Sequence, residues 1–76
     1  GAQPRILVCD DAATVRAMMA ALLGRTYSLQ LTSTAEEALE QAPVFSPDLV
    51  ITDLLLPGMS GRELIRRLRA IPACHQ

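Results

Sequence analysis

Lysine is missing altogether: the 76-residue chain carries seven basic residues, every one an arginine, against eight acidic ones. The resulting net charge of −1 offers no electrostatic footing for a nucleic-acid partner. Aromatics are nearly absent, with one Tyr, one Phe and no Trp, so a core must come from Leu, Ile, Val, Met and Ala. No apolar stretch is long enough to cross a bilayer, and no membrane contact is expected. No signal-peptide pattern precedes the first apolar run at Ile6. Together these absences predict a cytoplasmic protein. The two cysteines, Cys9 and Cys74, have no metal-ligand spacing. Cys9 reads as a small buried hydrophobe and Cys74 as a free thiol, with no disulfide between them in a reducing compartment.

What is present is half hydrophobic, which excludes a disordered tail. A length of 76 residues allows at most one domain, and a small one for an α/β fold. The most telling feature is a pair of short apolar runs that each end in aspartate. Ile6-Leu7-Val8-Cys9 runs into Asp10-Asp11, and Leu49-Val50-Ile51-Thr52 runs into Asp53. Such runs predict strands buried on both faces, as in a parallel sheet. Carboxylates at the carboxyl ends of those strands lie where open α/β sheets place ligands.

Between these runs the spacing predicts alternating elements. Arg5 to Cys9 is a strand, Asp10 to Ala13 a loop, and Thr14 a helix N-cap. Val15, Met18, Met19, Leu22 and Leu23 recur at helical spacing until Gly24, which fits a C′ stop. Met18 and Met19 are read as core or core-edge residues. Tyr27, Leu29 and Leu31 alternate with polar residues, as in a strand at a sheet edge. Thr34 and Glu37 form a capping box for a short helix that Pro43 should end. Ser46-Pro47 marks a turn, and a third strand covers about Leu49 to Asp53. Pro57-Gly58 marks another turn, and Ser60 with Glu63 a second capping box. Leu64, Ile65, Leu68 and Ile71 line one face of the last helix, which Pro72 should end. Arg66, Arg67 and Arg69 read as a solvated surface, and His75 as a solvated terminal residue. The order βαβαβα argues a parallel sheet.

Three carboxylates meeting at one rim would repel each other unless a cation lay between them. Mg²⁺ takes oxygen ligands, usually one or two carboxylates with waters and phosphate oxygens. Asp10, Asp11 and Asp53 make such a donor set. A carboxylate beside a bound cation can also attack phosphorus and become an aspartyl-phosphate. The plain alternative is that each acid merely tops a strand or caps a helix.

With these motifs in hand, the chain resembles the receiver domain of bacterial two-component response regulators. The matching segments are Arg5 through Asp11, Pro47 through Asp53, and Leu56-Pro57-Gly58-Met59-Ser60-Gly61, continued by Glu63-Leu64 and Leu68-Arg69. The resemblance implies a flavodoxin-like α/β fold in which residues 1–76 form the (βα)3 portion of a (βα)5 domain, with strand order 2-1-3. It implies that Asp53 is the phosphoacceptor of a sensor histidine kinase or phosphotransfer protein. It implies Mg²⁺ held by Asp10, Asp11, Asp53 and the backbone carbonyl of Leu55, with Pro57 and Gly58 shaping the loop. Gly61 matches a family glycine at the start of the last helix; otherwise it is only a flexible first turn. The role implied is substrate and switch, not a turnover enzyme.

The family pattern continues for two more strands and two more helices. Its Ser or Thr after the fourth strand and its Lys after the fifth have no counterpart in this sequence. With order 2-1-3 the third strand would be a bare edge, and self-association through it is expected. A non-phosphorylated assembly module is therefore the second reading. A metal-dependent phosphatase is a third, but its Asp-x-Asp spacing is not found in Asp10-Asp11-Ala12.

Overall fold

The structure, a computed structural model, describes residues 3–71. Pro72, Cys74 and His75 lie outside the described residues, and so do the helix stop, free thiol and solvated histidine expected of them. The elements alternate as β1 (Arg5–Cys9), α1 (Ala13–Leu23), β2 (Ser28–Thr32), α2 (Ala35–Phe45), β3 (Leu49–Thr52) and α3 (Gly61–Arg69). The strands form one parallel sheet in the order β2-β1-β3, as the resemblance implied.

β1 is central because its apolar run is wanted on both faces. Leu7 and Cys9 are fully buried on one side, packed with Ala35, Ala38 and Ala42 of α2 and Leu64 and Leu68 of α3. Alanines at i, i+3 and i+7 let α2 lie close to the sheet. Ile6 and Val8 are buried towards the other face, where α1 lies. That face is thinly covered. No α1 side chain is fully buried, and Met18 and Leu22 are 51% and 70% exposed. Met19 alone of the methionine pair takes a half-buried position.

Several local expectations shift, each for a definable reason. The N-cap of α1 is Ala12, not Thr14, because the Asp10 carboxylate accepts the Ala12 N–H at 2.9 Å and turns the chain into helix early. Gly24 does cap α1, but in the right-handed conformation at φ −63°, and its left-handed freedom goes unused. Pro43 lies inside α2 and does not end it. Proline's missing N–H falls in the last turn, where only one helical bond is lost. Phe45 packs against the core beyond it, and the helix ends at Ser46, whose φ of 54° reverses the chain.

Both expected boxes are half-formed. The Thr34 side chain accepts from the Glu37 N–H, but the Glu37 carboxylate returns to Ser33 N–H. The Ser60 side chain accepts from the Glu63 N–H, while the Glu63 carboxylate instead pairs with Arg66 and Arg67 along α3. Those two guanidiniums hold the Glu63 carboxyl at about 2, against an ordinary value of 4.5. The pair's contribution to stability is therefore complete above pH 4.5 and lost as the pH falls through about 2. Urea melts across that range should show a shallow acid-side loss for the native chain and a smaller one for Glu63→Gln. The effect is small because the pair is on the surface.

Candidate metal and phosphoacceptor site

The register of the sheet sets the site. Cys9 pairs with Thr52 across β1 and β3, so the residues that follow, Asp10 and Asp53, emerge side by side at one rim. The ladder extends one residue further on each side. Asp53 donates its N–H to the Cys9 carbonyl at 3.0 Å, and Asp10 donates its own to the Thr32 carbonyl at 3.0 Å. The two acids are thus fixed through backbone before their side chains are considered.

The side chains are oriented by short turns. Asp10 Oδ1 accepts from Ala12 N–H and Asp53 Oδ1 accepts from Leu55 N–H, at 2.9 and 3.2 Å. These are Asx-type turns, which hold a carboxylate over its own loop. Asp11 completes the group. Carboxylate oxygens of Asp10, Asp11 and Asp53 lie within 4.8 Å of one another, with Asp11 exposed and the other two half-buried. Leu55, expected to offer its backbone carbonyl, meets Asp53 through its N–H instead.

The loop after Asp53 is built to stay open. Leu54 and Leu55 are 58% and 85% exposed, while Leu56 tucks into the core at 8%. Gly58, at φ +82°, makes the turn expected of Pro57-Gly58. Gly61 is more than a flexible first turn. A Cβ there would meet the Asp53 carbonyl oxygen at 2.2 Å, and Gly61 N–H donates to the Leu54 carbonyl. Only glycine lets α3 start against the backbone of Asp53.

Two contacts escaped the sequence reading. Arg16 donates from Nη1 to the Asp10 carbonyl at 2.8 Å, bringing a cation to the β1–α1 loop. Its position six residues after Asp10, on the first turns of a helix, is the only signal it leaves. Thr32 donates its hydroxyl to the Val8 carbonyl, the buried polar pin of the β2 end. Cys9 behaves as expected: burial pushes its thiol up, against the opposing pull of hydrogen bonds from Thr32 and Thr52.

The donor set fits a hard divalent cation. It offers oxygen only, from three carboxylates close enough to share one ion, with an open side for water or phosphate.

Residues 6–75 match the response regulator receiver domain family. The chain is 40% identical over 67 residues to the DNA-binding response regulator MtrA of Mycobacterium tuberculosis, covering 87% of this chain and 29% of that protein. It is 36% identical over 67 residues to the sensor histidine kinase TmoS of Ectopseudomonas mendocina, covering 88% of this chain and 7% of that protein. Among solved structures it is similar to the chemotaxis response regulator CheY4 of Vibrio cholerae, with a TM-score of 0.86 and 26% identity over 93% of this chain and 60% of that one. The chain belongs to the response regulator receiver domain family of two-component signalling. It spans less than two thirds of each of these proteins. Among the described residues no helix is long and apolar enough to cross a membrane.

Proposed function

We propose that this chain is a phosphoacceptor module, phosphorylated on Asp53 by a phosphohistidine of a sensor histidine kinase or phosphotransfer protein. The observation that carries this is the convergence of Asp10, Asp11 and Asp53 within 4.8 Å at the carboxyl rim of a parallel sheet. An Asp53 carboxylate oxygen forms a bond to phosphorus, the phosphorus–nitrogen bond of the donor breaks, and the imidazole leaves with its electron pair. A small acyl phosphate serves as donor by the same displacement, with a carboxylate as leaving group. Asp10, Asp11, Asp53 and the Leu55 carbonyl would hold Mg²⁺, which would supply positive charge against the carboxylates and the incoming phosphoryl oxygens. The Leu55 N–H on Asp53 Oδ1 leaves the other carboxylate oxygen available. The Arg16 contact keeps the Asp10 loop in place. The chain is a substrate and switch, not a turnover enzyme, and it works in the cytoplasm.

The test is incubation with Mg²⁺ and acetyl phosphate, read by intact mass and by borohydride reduction of the acyl phosphate, which releases phosphate and leaves acid-stable homoserine at position 53. One phosphoryl group on Asp53, absent from Asp53→Asn, is expected. No adduct from a chain whose circular dichroism is intact would overturn the reading. A second reading is an assembly module that self-associates; among the described residues no strand lies beyond β3, and Leu49 there is 54% exposed.

A further inference from the structure

The net charge of −1 hides a separation of signs on one face of the molecule. α2 carries Glu36, Glu37 and Glu40 and no basic residue. α3 carries Arg62, Arg66, Arg67 and Arg69 against Glu63 alone. The two helices are neighbours on the same side of the sheet. Each starts at the carboxyl rim after a parallel strand and runs back, so they point the same way. Their starts are nearly level: Glu36 Oε1 lies 3.8 Å from where a side chain on Gly58 would begin, just ahead of α3. Each helix follows a capping hydroxyl, Thr34 or Ser60, so Glu36 and Glu40 hold the same places in α2 as Arg62 and Arg66 in α3. All four are exposed, and so are Val44 and Ala70 one turn on.

Helix dipoles account for part of this pattern. Glu36 and Glu37 suit the first turn of α2, and Arg66, Arg67 and Arg69 the last turn of α3. They do not account for Arg62, a cation in the first turn of its helix, or for Glu40, which lies beyond the first turn of its own. Neither has an ion pair among the described residues, where no ion pair joins α2 to α3. Arg66 and Arg67 share the one carboxylate of Glu63, so the α3 row keeps a surplus of positive charge. An acidic row thus lies beside a basic one, with no pair between them.

We propose that this face binds the same face of a second copy of the chain, with α2 of each copy lying on α3 of the other. A two-fold axis parallel to the helices and midway between them gives this contact and keeps the helix starts level. Glu36 then stands level with the second copy's Arg62, Glu40 with its Arg66 and Val44 with its Ala70, and each match occurs twice. The other two-fold arrangement, with the axis across the helices, sets α2 on α2 and α3 on α3, acid against acid and arginine against arginine. Charge therefore selects both the occupant and its orientation. Ile65 and Arg69 line the flank beside β3, and the contact uses neither, so it does not rest on the outer side of that strand. Exposed ion pairs are weak singly and screened by salt, so the dimer is concentration-dependent and dissolves as ionic strength rises. The contact goes beyond the phosphoacceptor reading and needs no phosphoryl group on Asp53.

Sedimentation velocity from micromolar to millimolar chain at low salt should show a monomer–dimer equilibrium, and salt at about 0.5 M should weaken it roughly tenfold. The double variants Glu36→Arg with Glu40→Arg, and Arg62→Glu with Arg66→Glu, should each stay monomeric with circular dichroism unchanged, because like charges then face each other. Mixed in equal amounts, the two variants should dimerise again. In one half of the contact arginines on α2 meet glutamates on α3, and in the other half the native pairing is intact. A native chain that is monomeric at every concentration overturns the proposal, and so does a dimer indifferent to either reversal. Loss in both variants without recovery on mixing overturns it as well, since the charges would then not act on each other. Should a double variant not fold, Glu40→Arg mixed with Arg66→Glu decides in the same way. The adduct on Asp53 is measured separately, so failure here leaves the phosphoacceptor reading standing.

Discussion

Asp11→Asn raises the melting temperature of the metal-free chain and removes most of the rise that Mg²⁺ otherwise produces. Three carboxylates held within 4.8 Å repel one another when no cation is bound. Two unit charges ~4 Å apart cost about 1 kcal/mol in water and about 4 kcal/mol at an effective dielectric of 20. Asp11 is exposed, so the lower figure applies. A gain of ~1 kcal/mol corresponds to about 4–8 °C in a domain of this size. With Mg²⁺ the sign reverses. A ligand at one hundred times its dissociation constant adds about 2.7 kcal/mol to the native chain. An amide in place of Asp11 is a poorer ligand for a hard cation, so most of that increment disappears. Scanning calorimetry of both proteins, with chelator and with excess MgCl₂, gives all four values. If the variant were less stable than the parent in chelator, the acids would not be in electrostatic conflict, and the cation site would lose its foundation.

Gly61→Ala is expected to cost about 3 kcal/mol and to disturb the acceptor as well as the fold. The added Cβ meets three backbone atoms, the Asp53 carbonyl oxygen at 2.2 Å, Leu54 Cα at 2.9 Å and the Asp53 carbonyl carbon at 3.0 Å. None can rotate away, so α3 or the acceptor loop must move. Overpacking of this kind usually costs ~1–3 kcal/mol, and a backbone obstacle puts it at the upper end. Alanine's better helix propensity, worth roughly 1 kcal/mol in a helix interior, offsets little at the first helical position. Total stability for a chain of this length is of order 4–11 kcal/mol. Denaturant melts should register the loss, and the yield of phosphoryl adduct on Asp53 should fall even under conditions where the variant stays folded. An unchanged adduct yield would show that α3 gives way without moving Asp53.

The parts of this fold that were legible in the sequence are those written in side-chain type. Both apolar runs promised strands buried on two faces; β1 is so buried, but β3 is exposed or half-buried throughout, and the strand order came from the resemblance alone. The acids at the ends of Cys9 and Thr52 then fall together once the strands are parallel neighbours. What the sequence does not spell out is written in backbone geometry. Nothing in the residue order says that Asp10 will use its own carboxylate to start α1 at Ala13. Pro43 looks like a stop because its ring is counted as a break, yet a last turn has little left to lose. Glu63 has two partners one turn ahead of it and leaves its box half-made. Gly61 reads as slack until the carbonyl of Asp53 is seen against it. Arg16 carries no motif, since its partner is a main-chain oxygen.

The end of β1 is held from both sides, by the Thr32 carbonyl on Asp10 and by the Asp53 N–H on Cys9. The first clasp needs the crossover through α1 and the second the crossover through α2 into β3, so the acid cluster is whole only when both have closed. A chain with either crossover open would not hold Asp10 beside Asp53. The geometry of the three acids is thus a property of the closed sheet and of no smaller piece of it.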